Sequence, residues 1–558
     1  MKIGVYVCHC GKNISNVINV EEVAEYASKI PGVVIAKDYR YMCSDPGQEM
    51  MKADIAAHNL DRIVIAACSP SMHQTVFMGT ASKSGMNPYR VERANIRENV
   101  SWVNSDHIKA TEKAKILVAA AVTKVMFSEA LSVKEVSVTP TALVIGGGIS
   151  GIQSAIDIGD SGFKVCLVER EAELGGNMAR LSKTFPVMEN ARDIIADKIE
   201  LAENNPNIEI LTSTEIVKVH GYIGNFEVEL RNKSSAETKT IHVGAIILAT
   251  GYSLFDAKEK PELGYGQYSN VITGMDFEAL GGKIELNGKK PENVVFVQCV
   301  GSRDETVHAD FCSRVCCMYT AKQALQAREY LPEARITICY IDVRAFGRGN
   351  EEFYERVQKN KIIYRRGLVS EISRLGEKVR VIAEDTLLGE IYEEEADLVV
   401  LATGMRPALE AKQTAKKFNV STGADSFFLE AHPKLGPVET TTDGVFLAGC
   451  CVGPKDITDS VSQAHAAAIK ACIPLFQKTV KREPLVAHIE AETCAGCKLC
   501  EPICEYGALV FDEKKRVMTV NEALCRGCGS CGSACPSASN QVKNSSKKQL
   551  FEMIDILV

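Results

Sequence analysis

Apolar and polar positions alternate with two different periods along the chain. Over residues 1–132, short apolar runs (GVYVC, DRIVIAAC) are separated by stretches whose apolar residues recur every three or four positions, VEEVAEYASKI and ATEKAKILVAAAVTKVMF. Runs of that length read as buried strands, and the 3.6-residue stretches read as amphipathic helices. A small α/β domain is expected here. VKEVSVTP (133–140) reads as a linker. The strand–helix–strand rhythm then resumes, and one pattern occurs twice: NIEILTSTEIVKVHG…GAIILATG over 207–251 and KIIYRRGLVSEISRLG…ADLVVLATG over 361–404. Each copy has a short strand, a polar hairpin-like stretch and an apolar strand ending in Ala-Thr-Gly. Residues 133–484 are therefore expected to hold one supersecondary unit twice, the second over 254–395. From 485 to 558 the periodicity gives way to closely spaced cysteines, and a separate small domain with a C-terminal tail is expected.

Composition narrows the class. At roughly 150 residues per domain, 558 residues predict three or four domains. A chain that is 46% apolar and 24% charged is ordinary for a soluble protein, and a net charge of −7 offers no basic surface to nucleic acid. The longest apolar stretch, 116–127, has 12 residues and is interrupted by Lys124, too short for a transmembrane segment. The N-terminus, MKIGVYVCHC, has no long apolar core or small-residue cleavage site, so a cytoplasmic location is expected. The 21 cysteines change the picture. In a large chain without an export signal, clustered cysteines are kept reduced and are available as thiolates for metal or redox chemistry.

The C-terminal cysteines are the most informative. Cys494, Cys497, Cys500 and Cys504 are spaced C-x2-C-x2-C-x3-C; Cys525, Cys528, Cys531 and Cys535 repeat the spacing, with Pro536 following. This is the bacterial double-cluster ferredoxin run, in which a tight loop covers three corners of a cubane and the fourth cysteine crosses to the other cluster. One [4Fe–4S] cluster is expected on Cys494, Cys497, Cys500 and Cys535, and the other on Cys525, Cys528, Cys531 and Cys504. Two zinc knuckles are the competing reading, but zinc sites usually pair C-x2-C with a distant second pair.

The apolar run TALVI ends at Gly146-x-Gly148-Ile-Ser150-Gly151, a helical pattern follows, and a second apolar run ends at Glu169-Arg170. Glycines so placed permit a tight turn, close approach of a pyrophosphate and close packing of helix on strand, while Glu169 can bind a ribose hydroxyl. These residues alone leave FAD and NAD both open. Three further pieces resemble thioredoxin-reductase-type flavoproteins and favour FAD. They are Glu173-Leu174-Gly175-Gly176-Asn177-Met178, the Ala249-Thr250-Gly251 strand end, and Gly444-Val445-Phe446-Leu447-Ala448-Gly449-Cys450, with Gln463 and Ala464 completing the candidate cofactor set. The last position of the third motif is normally an aspartate for the ribityl chain. Cys450 departs from it, leaving Asp456 or Asp459 as substitutes.

The duplication resembles the two nested dinucleotide-binding halves of pyridine-nucleotide–disulfide oxidoreductases, but the second half has no GxGxxG. After the strand ENVVFVQ come Cys299, Cys312, Cys316 and Cys317 in C-x12-C-x3-C-C. Four thiols can ligate another [4Fe–4S] cluster in place of NAD(P)H; four buried core thiols are the bland alternative. Lys322, on the helix that follows, could place a positive charge near flavin N5 or N1, against the alternative of a solvated helix-face lysine. Cys166, Cys339 and Cys472 read as core residues. Adjacent Cys450 and Cys451 would make a poor disulfide, so dithiol chemistry within this chain is disfavoured. RAFGRG (344–349) receives no role.

Taken together, VCHCG, GGGISG, LGGNM, QCVGSR…FCSRVCC, DVRAFGRG, GPKDI and the ferredoxin tail resemble the iron–sulfur flavoprotein component (HdrA type) of heterodisulfide reductase, found in methanogenic energy metabolism and in bacterial relatives. The resemblance covers nearly the whole chain. It implies a thioredoxin-reductase-like α/β core with an N-terminal α/β domain and a ferredoxin domain, and FAD-based electron bifurcation or confurcation. It also implies a fourth cluster on Cys8, Cys10, Cys43 and Cys68, for which unpaired core thiols are the alternative. Partners implied are B- and C-type subunits, a hydrogenase, formate dehydrogenase or F(420)-type donor, and ferredoxin, around a homodimeric core. No cysteine runs lie between Cys166 and Cys299, so the ferredoxin module inserted in many members is expected to be missing. The competing readings are an NAD(P)H-dependent flavoenzyme resembling the small subunit of glutamate synthase, and a scaffold with degenerate cofactor sites.

Overall fold

The computed structural model describes residues 1–281, 283–285 and 288–557, and the chain divides into two compact units, 1–135 with 481–558, and 136–480. The first unit groups the cysteine-rich tail with the N-terminal residues. Among the described residues no helix is long and apolar enough to cross a membrane.

In the first unit, four parallel strands run in the order Val33–Tyr39, Ile3–Cys8, Arg62–Ala67, Val91–Asn95. Successive side chains of a strand enter opposite faces. Val5 and Val7 join one core with helices Val20–Ser28 and His107–Met126, and Tyr6 and Cys8 join the other with Asp45–His58 and Pro70–Lys83. Burial on both faces explains why GVYVC and RIVIAA read as continuous apolar runs. The tail docks through its last helix, Lys547–Leu557, which packs on His107–Met126. Asn544 Nδ2 donates to the carbonyls of Tyr89 (3.1 Å) and Glu129 (3.2 Å), and buried Gln549 reaches the Lys124 carbonyl at 3.3 Å.

The second unit contains two five-stranded parallel sheets that share the order of four strands and differ in the edge strand, which comes last along the chain in one and first in the other. One is Val445–Leu447, Ala245–Leu248, Thr141–Ile145, Lys164–Val168, Ile208–Leu211; the other is Val271–Thr273, Leu398–Thr403, Asn293–Val300, Arg335–Tyr340, Ile363–Arg366. Each half also carries a three-stranded antiparallel sheet, beginning at Thr214–Tyr222 in one and Val369–Leu375 in the other. The repeat in sequence is thus a repeat of topology. Two details differ from expectation. The second half extends past 395, because Leu398–Thr403 pairs along Asn293–Val300, and Lys134–Ser137 within the expected linker is a strand. The halves are joined by an antiparallel pair, Tyr252–Leu254 with Met405–Pro407.

Candidate cofactor sites

A cavity of about 600 Å³ opens at the carboxyl ends of the first sheet of the second unit, where an open α/β sheet binds its ligand. Gly146, Gly148 and Ser150 form one edge, with Glu169 and Arg170 beyond them, and Gly175, Gly176, Asn177 and Met178 form a second edge. Thr250, Gly251 and Cys450 close the floor. The glycine loop has the geometry expected of a pyrophosphate cradle. Gly146 sits at φ 110°, and a Cβ on Gly151 would lie 1.8 Å from the Gly146 carbonyl oxygen, so helix and loop meet only without side chains. A Cβ on Gly148 would meet nothing, which leaves its backbone open toward the cavity. Buried Glu169 holds the loop by accepting from the Gly147 N–H at 2.5 Å. Thr250 Oγ1 is buried on the cavity wall with no hydrogen-bond partner, a group a ligand can satisfy. The residues fit an FAD.

Four candidate residues stand behind this wall. Gly151 packs helix on loop; Gly449 donates its N–H to Gln463 Oε1 at 2.9 Å; Ala464 accepts from Ser154 Oγ at 3.2 Å. Gly151 shapes the cavity from helix Ile149–Asp160, and Gly449, Gln463 and Ala464 from helix Ile457–Gln477 and its approach. Of the two candidate aspartates, Asp456 lines the cavity and caps that helix, accepting from Asp459 N at 2.7 Å, whereas Asp459 pairs with Arg314 at 3.1 Å. The Cys450 sulfur is turned to the Lys455 carbonyl, 3.4 Å away, and Cys451 to the carbonyls of Leu248 and Ala448. None of the 21 cysteines forms a disulfide.

The opposite wall comes from the second half: Val315, Tyr319, Lys322 and Gln323, with Met405 from the joining strands. Lys322 is not a solvated helix-face residue. It is 2% exposed and its Nζ lies 2.5 Å from Glu278 Oε1, with a second bond of 3.0 Å to the Lys183 carbonyl. Burial lowers the Lys322 ammonium pKa and Glu278 opposes this, leaving it below its ordinary value. Burial would raise the Glu278 carboxyl, but Lys322, Ser182 and Gln323 together bring it below its ordinary range. The lysine therefore faces the cavity as half of an ion pair rather than as a lone cation. Glu278 carries no motif, and only the fold brings it 44 residues along the chain to Lys322.

Cys316 and Cys317 open the helix Cys316–Tyr330, at the position where a dinucleotide-binding half would offer its helix N-terminus. Cys299 lies at φ 61°, inside a bulge where the pairing of Asn293–Val300 with Leu398–Thr403 slips between Val297 and Val300. Burial raises the Cys316 thiol pKa, and Cys299, Cys317 and Cys312 push the same way, so the four sulfurs share one neighbourhood. Gln298 Nε2 is buried there without a partner, while Gln298 Oε1 meets the Cys317 sulfur at 3.6 Å.

In the tail, Cys494, Cys497, Cys500 and Cys535 line one small cavity. Burial raises the Cys500 thiol, and Cys535 and Cys497 add to it; burial raises Cys531, and Cys525, Cys504 and Cys528 add to that. Each last cysteine thus stands with the other run. In the N-terminal sheet, Cys8 ends a strand and Cys68 follows Arg62–Ala67. Burial raises Cys8 with Cys10 and Cys43 contributing, and raises Cys43 with Cys68 and Cys10 contributing. These four also gather at one end of a sheet. Among the described residues no three His, Cys, Asp or Glu side chains are placed to hold a single metal ion. All-thiol groups of four are the donor chemistry that an iron–sulfur cluster takes.

Known families match two parts of the chain. Residues 140–297 match the family described as pyridine nucleotide-disulphide oxidoreductase, and 493–539 match the 4Fe-4S dicluster domain. The chain is 44% identical to an HdrA-type iron–sulfur subunit of CoB–CoM heterodisulfide reductase from Methanopyrus kandleri, over 92% of each chain. It is 41% identical to the corresponding subunit of the H(2):CoB-CoM heterodisulfide,ferredoxin reductase of Methanothermobacter marburgensis, over 92% of this chain and 91% of that one. These alignments run over 600 and 598 positions, more than the 558 residues here, so both relatives carry segments that this chain lacks. Among solved structures, thioredoxin reductase of T. acidophilum is 19% identical, with a TM-score of 0.43 over 61% of this chain and 99% of that one.

Proposed function

Because the chain belongs to the HdrA family of heterodisulfide reductase subunits, whose members are iron–sulfur flavoprotein oxidoreductases, we propose that it is the electron-distributing component of a heterodisulfide reductase-type complex. In this reading it splits or merges electron pairs between a donor subunit, ferredoxin and a disulfide-reducing partner. One observation carries the proposal: helix Cys316–Tyr330 bears two of the four central thiols at its start and Tyr319, Lys322 and Gln323 on the flavin cavity. From Cys316 to Lys322 is roughly 9 Å of helix. The nicotinamide side of a dinucleotide-binding half has become a thiol site next to the cavity.

FAD would be held by the Gly146–Gly151 loop, Glu169, Gly175, Gly176 and Thr250. Four [4Fe–4S] clusters would take Cys299, Cys312, Cys316 and Cys317; Cys494, Cys497, Cys500 and Cys535; Cys525, Cys528, Cys531 and Cys504; and Cys8, Cys10, Cys43 and Cys68. When bound, FAD exchanges electrons in pairs or singly and each cluster one at a time, which is the chemistry that a two-way junction needs. The chain's own residues set the conditions. Lys322 supplies positive charge at the wall and Glu278 limits it; Tyr319 anchors that wall by donating to the Thr403 carbonyl at 2.9 Å. By family, the partners would be B- and C-type subunits with a hydrogenase, formate dehydrogenase or F(420)-type donor, around a homodimeric core.

Anaerobically prepared full-length protein tests this. One FAD and about sixteen iron atoms per chain are expected for four cubanes. Reduced ferredoxin should bleach the flavin while NADPH alone leaves it oxidised. Bleaching by NADPH, or iron for the two tail clusters only, would overturn the proposal. Purification of the native complex should bring down cysteine-rich disulfide-reducing subunits.

A further inference from the structure

Arg93 carries a buried positive charge that the site as described leaves without a counterion. It lies on strand Val91–Asn95, 8% exposed, beside the N-terminal cysteines. Its Nη2 donates to the Cys68 carbonyl at 2.6 Å and lies 3.6 Å from the Cys68 sulfur, while the guanidinium rests on the Phe77 ring, 4.6 Å from its centre. Nε and Nη1 are buried with no hydrogen-bond partner, and among the described residues no carboxylate pairs with this arginine. An uncompensated buried charge is strongly destabilising. Four thiolates on a cubane are net negative and gain one more negative charge on reduction, which supplies the missing anion.

We infer that Arg93 is the charge partner and potential-setting residue of the N-terminal cluster, its guanidinium favouring the reduced state. The inference rests on the four-cysteine reading of that site. Arg97 provides the contrast within the same site. Its Nη1 donates to the Cys10 sulfur at 3.2 Å, but Glu98 at 2.7 Å already balances its charge. Arg93 is a positioning residue with an electrostatic role, and Arg97 mainly a hydrogen-bond donor.

The test uses full-length holoprotein and a redox titration followed by electron paramagnetic resonance. The component belonging to this site is the signal, with its iron, that Cys8→Ser removes. In Arg93→Gln its one-electron reduction should become about tenfold less favourable, a shift of about 59 mV to more negative potential. Arg93→Lys should restore most of that, and Arg97→Gln should move it less. An unmoved midpoint in Arg93→Gln, with the component present, overturns the inference and leaves the cluster standing. If Arg93→Gln loses the component, retention in Arg93→Lys supports the charge role, and loss in both variants with unchanged circular dichroism overturns it. If Cys8→Ser removes neither iron nor signal, the four-cysteine reading itself fails, a result distinct from the others.

Discussion

In the first half of the flavin-type unit, strand Thr141–Ile145 passes through Gly146, Gly147 and Gly148 straight into helix Ile149–Asp160. In the second half the equivalent strand, Asn293–Val300, runs through residues 301–315 before helix Cys316–Tyr330 begins. Four strands of each sheet have the same order, and the strands feeding the two loops are central in both. What differs is the chemistry at the carboxyl end. The short glycine loop brings backbone N–H groups and a helix N-terminus to an anion. The second connection follows a strand that bulges at Cys299, and its helix starts with two thiols, where a phosphate cradle would need bare backbone. On the proposed reading, one scaffold supports two kinds of redox site by changing a single connection, because an open α/β sheet puts its ligands at strand ends that tolerate loop replacement.

The sharpest way to break that comparison is at Lys322. Lys322→Ala leaves Glu278 charged and buried, and should cost about 3–5 kcal/mol; a thermal melt reads it. The double variant Lys322→Met/Glu278→Met should recover most of the stability while the flavin midpoint falls relative to the parent. An unchanged midpoint in that folded double variant would remove Lys322 from flavin tuning. Next, Gly151→Val forces a side chain onto the Gly146 carbonyl and should cost about 1–3 kcal/mol together with FAD, measured by flavin content, while cluster iron in the tail stays bound. Cys316→Ser is more selective: about four iron atoms should be lost and FAD retained, because the two sites share a helix but no ligand. Loss of flavin with the iron would show that the halves are not chemically separable. The smallest effect is expected at Cys450→Asp, which restores the aspartate usual in thioredoxin-reductase-type flavoproteins. FAD should bind slightly tighter, by under about 1 kcal/mol, since Asp456 already lines that wall; equilibrium dialysis of the flavin measures it.

Much of this architecture was legible before any coordinates. The Ala-Thr-Gly repeat, the Gly146–Gly151 loop and the C-x2-C-x2-C-x3-C runs are local patterns, and each acts through contiguous backbone. The tail's place in the N-terminal unit was not legible, because it depends on Asn544 and Gln549 reaching carbonyls more than 400 residues away in sequence. Glu278 and Arg93 were missed for the same reason. Neither sits in a motif, and each matters only through what the folded chain sets beside it. The sequence puts Lys322 on the helix that follows the central cysteines, whereas its ion pair with Glu278 depends on long-range packing.

Spacing alone was enough to state which cysteines form local runs, where a nucleotide loop begins and that one unit occurs twice, since periodicity and short-range geometry are properties of neighbouring residues. Which charges are buried together, which loop replaces which, and which wall a helix presents to the cavity depended on long-range sheet order. Burial turns a lysine or an arginine from a solvated side chain into a group that must find its counter-charge, and only the packed chain decides where that counter-charge stands.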